Sequence, residues 1–332
     1  MARYRKLARS VGLFAGIIAL SAVAGCYTGP AATASFDRNF NVTGPIRLEL
    51  SNASGDVNIT GNSDGKVHVH GEVRASGFGF DSPQKRLDET IANPPIEQRG
   101  DTIHIGADFS HLRNVSIAYT IQVPHDTEVD ASVASGAQNI RDLRGPVKVH
   151  AASGTIRVEK IDRDADLSTA SGSVTANDVG SDVQVSSASG NVTVSNVKGD
   201  VRVKAISGVI RVSHPGGRVE GNTASGEVEI QDATKDVTAH AASGRVSVQG
   251  DPGGQGYWNL KTASGGVQIS VPSSANFHLS AEAVSGEIRT DIPIVIEEQG
   301  KHSLRARVGN GNGGGRIEVH TASGEIRVTR SK

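Results

Sequence analysis

Ala188-Ser189-Gly190-Asn191-Val192-Thr193-Val194-Ser195-Asn196-Val197-Lys198-Gly199-Asp200-Val201-Arg202-Val203-Lys204-Ala205 is one unit of a repeat. Its Ser-Gly glycine recurs at Gly136, Gly154, Gly172, Gly190, Gly208, Gly226 and Gly244, always 18 residues apart. The spacing loosens to 21 at Gly265 and Gly286 and the motif resumes at Gly324; Gly55, in Ala53-Ser54-Gly55-Asp56-Val57, is an earlier copy. A fixed period of this length is the signature of a stacked-repeat architecture.

Apolar residues lie 2, 4, 7, 11, 13 and 16 positions after Gly190, so steps of 2, 3 and 4 recur every nine residues, half a unit. Each half then holds one short strand with period-2 alternation, Val192/Val194 and Val201/Val203. Corners fall at Gly190 and Gly199, where positive φ or close backbone approach favours glycine. Eighteen residues is also three hexapeptides, but an aliphatic residue every sixth position is missing. The expected fold is therefore all-β: a β-solenoid of flattened, 18-residue, two-strand coils.

Stacking turns the repeat positions into columns. The pattern predicts an inward column of Ala134, Ala152, Ala170, Ala188, Ile206, Ala224 and Ala242, and another through Ile156, Val174, Val192, Ile210, Val228 and Val246. The serines from Ser135 to Ser243 alternate outward, their hydroxyls placed to satisfy turn amides.

The chain begins with a basic segment, Met1–Arg9, and an apolar run from Val11 to Ala24, too short to span a bilayer as a helix. Val23-Ala24-Gly25-Cys26 resembles the bacterial lipobox, which implies cleavage before Cys26 and acylation of that residue. Cys26 is the single cysteine, so no intrachain disulfide competes for it. Ala22-Val23-Ala24 also fits ordinary secretion, which would leave a free thiol. Tyr27, in place of an aspartate, leans toward the outer membrane. Residues 1–25 thus read as a signal peptide and 26–35 as a tether.

Residues 36–130 read as irregular opening coils with a short helix from Ser82 to Ala92, Ser82 as its cap and Pro83 first in the helix. A separate small β domain is the alternative. Residues 131–332 read as the regular solenoid, with loop insertions near 250–256 and 309–315. The last coil, around Ser323-Gly324, has little sequence after it to cap its edge.

Of 34 Lys and Arg, four (Arg3, Arg5, Lys6 and Arg9) precede Cys26, leaving 30 against 35 acids. A net charge of −5, without a basic cluster, is not the footprint of a nucleic-acid binder.

The serial Ala-Ser-Gly-x-Val/Ile-x-Val units from Ser153 to Val248 resemble the bacterial β-strand-repeat family DUF4097, grouped with adhesins. Ile121-Gln122-Val123-Pro124 and Val271-Pro272, followed by Ala283-Val284-Ser285-Gly286-Glu287-Ile288, share the likeness, which covers about residues 36–330. It implies the architecture and an envelope setting, with no defined ligand and no catalytic residues.

Chemistry is thin elsewhere. Outward Glu227, Glu229 and Arg245 could belong to a carbohydrate-active β-helix enzyme, but mixed charge columns are ordinarily a solvated sheet face. His68 and His70 share a strand face, with His104 a conceivable third ligand, short of a normal zinc set. Gly309–Gly315 lacks the strand and helix context of a phosphate loop. Tyr257 and Trp258 are the candidate ligand contact, a carbohydrate platform, with packing at a coil irregularity the competing reading. The expectation is a non-enzymatic envelope lipoprotein, without cofactor or metal, presenting a rigid surface for adhesion or scaffolding. Its partners would be the membrane, through Cys26, and an envelope protein or glycan. A carbohydrate-active enzyme and an envelope-stress accessory protein are the alternatives.

Overall fold

The computed structural model describes residues 31–77, 82–106, 114–309 and 314–331. The leader, Cys26 and the first part of the tether lie outside them, as does most of the Gly309–Gly315 loop. No helix among the described residues is long and apolar enough to cross a membrane.

Each 18-residue unit is one turn of a flattened solenoid. Strand Val192–Val197 lies in a 14-stranded sheet, and strand Val201–Ser207 in a 15-stranded sheet facing it. Successive coils pair in parallel and in register, Val192 opposite both Val174 and Ile210, Val201 opposite both Val183 and Val219. The thin core between the sheets is a set of Val, Ile and Ala columns, nearly all inaccessible to solvent.

The two halves of a coil are not equivalent, contrary to the nine-residue symmetry. In the first, Val192, Val194 and Val197 point inward; in the second, Val201, Val203 and Ala205 do. The three-residue step in the first half arises at Asn196, whose φ of 55° inserts a left-handed kink. Its column holds Asp142, Lys160, Asp178, His214 and Asp232, all with positive φ. Asn and Asp tolerate that region better than most L residues.

The predicted inward alanine column is outward. Ala134, Ala152, Ala170, Ala224 and Ala242 are exposed, Ala188 is half-buried, and Ile206 is 61% exposed. Strict alternation continues one residue further than expected, so the inward position belongs to Val133, Ala151, Thr169, Ser187, Ala205, Thr223 and Ala241. The chain then turns, leaving both Ala and Ser outside.

The Ser-Gly corner is built as a glycine ladder. Gly190 has φ 137°, and a Cβ on it would stand 2.0 Å from the carbonyl oxygen of Gly172. Gly172 and Gly208 repeat this contact with the coil before each. The corner amides are satisfied by backbone, not by serine hydroxyls: Gly172 N donates to Ser189 O at 2.9 Å, and Gly190 N to Ser207 O. At the opposite corner Gly199 lacks a positive φ; its constraint is closeness, since a Cβ would lie 2.2 Å from Asp182 Oδ1. That carboxylate accepts the Asp200 amide at 2.8 Å, and Asp200 Oδ1 accepts the Arg218 amide at 2.7 Å.

Both ends depart from sequential stacking. Strand Gly315–Ser323 lies between Tyr257–Ser264 and Phe277–Ser285, and Ile326–Arg330 lies between Val267–Val271 and Ile288–Thr290. The final coil therefore has no bare edge; the coil before it in sequence is outermost, covered on one sheet by the antiparallel strands Ser303–Val308 and Ile294–Gln299. The glycine ladder follows this order, with Gly324 against Gly265 and Gly286 against Gly324.

The N-terminal end mirrors it. Strands Arg47–Ser54 and Val57–Asn62 sit between the first regular coil and the strands Thr102–Ile105 and Val115–Pro124. The described strands between residues 32 and 130 thus continue the same two sheets. Ala32–Asn41 is a strand antiparallel to Lys66–Ala75, so residues 32–35, expected as tether, are part of the sheet. Phe36 anchors it, buried over Gly71 and edge-on to Tyr119 with ring centroids 6.4 Å apart. The helix runs Pro83–Ala92, with Ser82 Oγ accepting from Lys85 N. Buried Arg86 ties it to the strands through Ser76 O and Asn114 O.

Candidate functional site

The alternation that turns the alanine column outward also creates the main concavity. On the outer face of the 15-stranded sheet, two columns flank the backbone of the inward one. One is the alanine column; the other runs Ser132, His150, Ser168, Ser186, Lys204 and Asn222, then His240, Lys261 and His320. Between these ridges lies a groove in two segments, of about 870 and 820 Å³, meeting at the coil of Lys204 and Ala205. Its floor is the least protected of the inward columns, with Ala151 and Ala205 8% exposed where Val149 and Val203 are fully buried.

The groove is asymmetric in chemistry. One rim is methyl groups, raised by Ile206 in the middle and Val284 at the far end, 61% and 63% exposed. The other carries Lys204, Lys261 and three histidines, with Glu282 the acid in the lining, 3.3 Å from His320. His240 is held below its ordinary value by desolvation and, secondarily, by Lys261, which favours the neutral ring. His150 Nδ1 lies 3.1 Å from Ser168 Oγ. In the floor column Thr262 and Thr321 donate to the carbonyls of Gly244 and Gly265, whereas the hydroxyls of Thr169, Ser187 and Thr223 have no partner.

The family profile described as Toastrack DUF4097 matches residues 120–329, the span that holds the parallel coils and most of their Ser-Gly corners. The chain belongs to this Toastrack family. No curated protein matches it. Two solved structures align over 90% of the chain. One is a candidate cell adhesion protein from Clostridium sporogenes, 11% identical, with 100% of that chain covered and a TM-score of 0.24. The other is a candidate adhesin from Bacteroides fragilis, 12% identical, with 97% covered and a TM-score of 0.34.

Within this Toastrack chain, the predicted contact pair separates. Trp258 is fully buried, its Nε1 donating to Lys235 O at 2.9 Å, so it is core and not a sugar platform. The extra three residues before it fall in a loop in which Gly256 N donates to Pro252 O. Tyr257 remains 37% exposed, and its hydroxyl donates to Glu318 Oε2 at 2.6 Å, a bond that raises its ionisation above the ordinary value.

The corner glycines Gly136 to Gly244, with Gly265, Gly286 and Gly324, serve the backbone ladder described above. The histidines do not converge. His68 and His70 lie on the 14-stranded sheet, bonded to Asp64 and Asn39 and to Asp37, while His104 lies on the other sheet, 3.0 Å from Glu49. No metal-holding cluster occurs among the described residues. The outward charges pair along the stack: Arg211 with Glu229 at 3.1 Å, Arg202 with Glu220 at 2.9 Å, and Arg245 with Glu227 at 3.9 Å. The groove escaped the sequence because alanine was counted as core. The signal was available in Ile206, an aliphatic residue one position out of phase with Val201 and Val203.

Proposed function

We propose that the chain is a non-catalytic cell-envelope lipoprotein, anchored through Cys26, whose rigid solenoid presents its outer faces for adhesion or scaffolding. The observation that supports this best is the in-register stacking of coils, which repeats the outward Ala-Ser pair of most corners along the 15-stranded sheet. Such a surface offers many equivalent contacts to an extended partner, and multivalent contact raises avidity without strong individual sites. The outward acids and bases are engaged with one another between coils, as on a structural sheet face. A leader ending in Val23-Ala24-Gly25-Cys26 favours the lipid-anchored envelope setting, and Tyr27 the outer membrane. Two or more acyl chains hold a protein stably where one does not.

The test has two arms. Metabolic labelling with an alkynyl fatty acid should mark the full chain, and Cys26→Ser should lose the label and leave the membrane fraction. Beads coated with the full chain should adhere to native envelopes or to members of a glycan array in a valency-dependent manner. Turnover of a polysaccharide that disappears when one carboxylate is mutated would overturn the non-catalytic reading.

A further inference from the structure

We infer that the groove on the 15-stranded sheet binds a single-chain anionic lipid, its acyl chain along the run from Ile206 to Val284 and its headgroup at Lys204. This goes beyond adhesion and does not depend on it.

The lining selects the class of ligand. A peptide would need main-chain partners, but the sheet's amides and carbonyls here are consumed by the coils on either side. A glycan would find no Trp, Tyr or Phe platform in the lining, since the chain's one tryptophan is in the core. What the groove offers is methyl groups along one rim, over a floor in which Ala205 and Ala241 alternate with Thr223 and Thr262, and the methyl rim favours hydrocarbon. Ile206 and Val284 bound this run, and both are more than half exposed in a column otherwise of alanine. Five coil-to-coil steps separate them, about 24 Å at about 4.8 Å per step. One acyl chain spans half of a bilayer core of about 30 Å, roughly 15 Å. The run therefore holds one chain lengthwise.

The opposite rim selects the charge. Lys204 stands across the groove from Ile206, and Lys261 three coils further on; among the described residues neither has a carboxylate within ion-pair distance. Elsewhere on the solenoid outward bases such as Arg202 and Arg211 pair with acids one coil away. Lys204 and Lys261 thus set two cations beside apolar area, with Glu220, ion-paired to Arg202, close enough to act on Lys204. A lysine there lays its stem along the chain and leaves its ammonium for an anionic headgroup.

The experiment uses the full chain and lysophosphatidylglycerol with a photoactivatable group on its acyl chain; the comparison probe is lysophosphatidylcholine with the same chain. Cross-links mapped by mass spectrometry are expected on the groove segments around Ala224, Ala242 and Ala263. Ala242→Trp, which plugs the groove from an exposed position, should reduce labelling about tenfold, with its thermal unfolding unchanged as the folding control. Lys204→Glu combined with Lys261→Glu should weaken the anionic probe about tenfold, the scale of two surface charge contacts, and leave the zwitterionic probe unchanged. Labelling spread over both outer faces, or untouched by Ala242→Trp, would overturn the site. Equal labelling by both probes would overturn the headgroup assignment. Adhesion that survives Ala242→Trp separates this inference from the adhesive reading.

Discussion

Replacing Gly190 by alanine tests the glycine ladder directly. The residue has φ 137°, a region costing an L side chain roughly 1–3 kcal/mol. The new Cβ would sit 2.0 Å from Gly172 O and 2.6 Å from Gly172 C, both backbone atoms of the neighbouring coil. Relief requires these two coils to separate at the corner, which weakens the bond between them there, Gly172 N to Ser189 O at 2.9 Å. At about 0.5–1.5 kcal/mol net for that bond, the total loss is about 1.5–4.5 kcal/mol. Two other glycines separate the terms. Gly65→Ala has φ 67° with nothing within 4 Å, so it carries the dihedral cost alone, about 1–2 kcal/mol. Gly254→Ala meets nothing within 4 Å and has no left-handed φ, so it should stay within about 0.5 kcal/mol of wild type. Urea unfolding followed by circular dichroism gives the comparison, and a fall in the m-value of Gly190→Ala would show the array dividing at that coil. If Gly190→Ala proves no worse than Gly65→Ala, the carbonyl contact contributes nothing and the ladder argument fails.

Trp258, the sole tryptophan, should emit as a buried indole and resist iodide quenching; Trp258→Phe should cost about 1–3 kcal/mol through the lost bond to Lys235 O, and an exposed-type emission would contradict its placement. Glu220 is hydrogen-bonded by Arg202, which holds its carboxyl below the ordinary 4.5. Its contribution is therefore full above that value and fades as the pH falls through the lowered one. Glu220→Gln should cost no more than about 1 kcal/mol near neutrality, with the gap to wild type closing in acid and in high salt; a gap that widens in acid would reverse the sign.

The repeat made the architecture legible because a solenoid imposes its period on every column at once. Val192, Val194, Val201 and Val203 could hardly be placed otherwise. The corner was harder, since Ala205 and Ile206 are adjacent and both apolar, and composition alone does not say which one continues the alternation. Of the two roles open to Gly199, positive φ or close approach, it takes the second, and Asn196 carries the left-handed kink, which Asx residues tolerate. Trp258 looked like a ligand contact because it is rare, yet rarity and burial are independent. The stacking order at the two ends left no mark on spacing, since Gly286 and Gly324 show the same motif whichever is outermost. The groove depended on that corner phase, for which the out-of-phase Ile206 was the signal in the sequence.

The out-of-order coil at the C-terminal end has a consequence for how the molecule is made. Strand Gly315–Ser323 is synthesised after both strands it separates, so Tyr257–Ser264 and Phe277–Ser285 must wait as unmatched edges until it arrives. It acts as a keystone: the array closes at that end last, and growth inward from the regular coils cannot finish early.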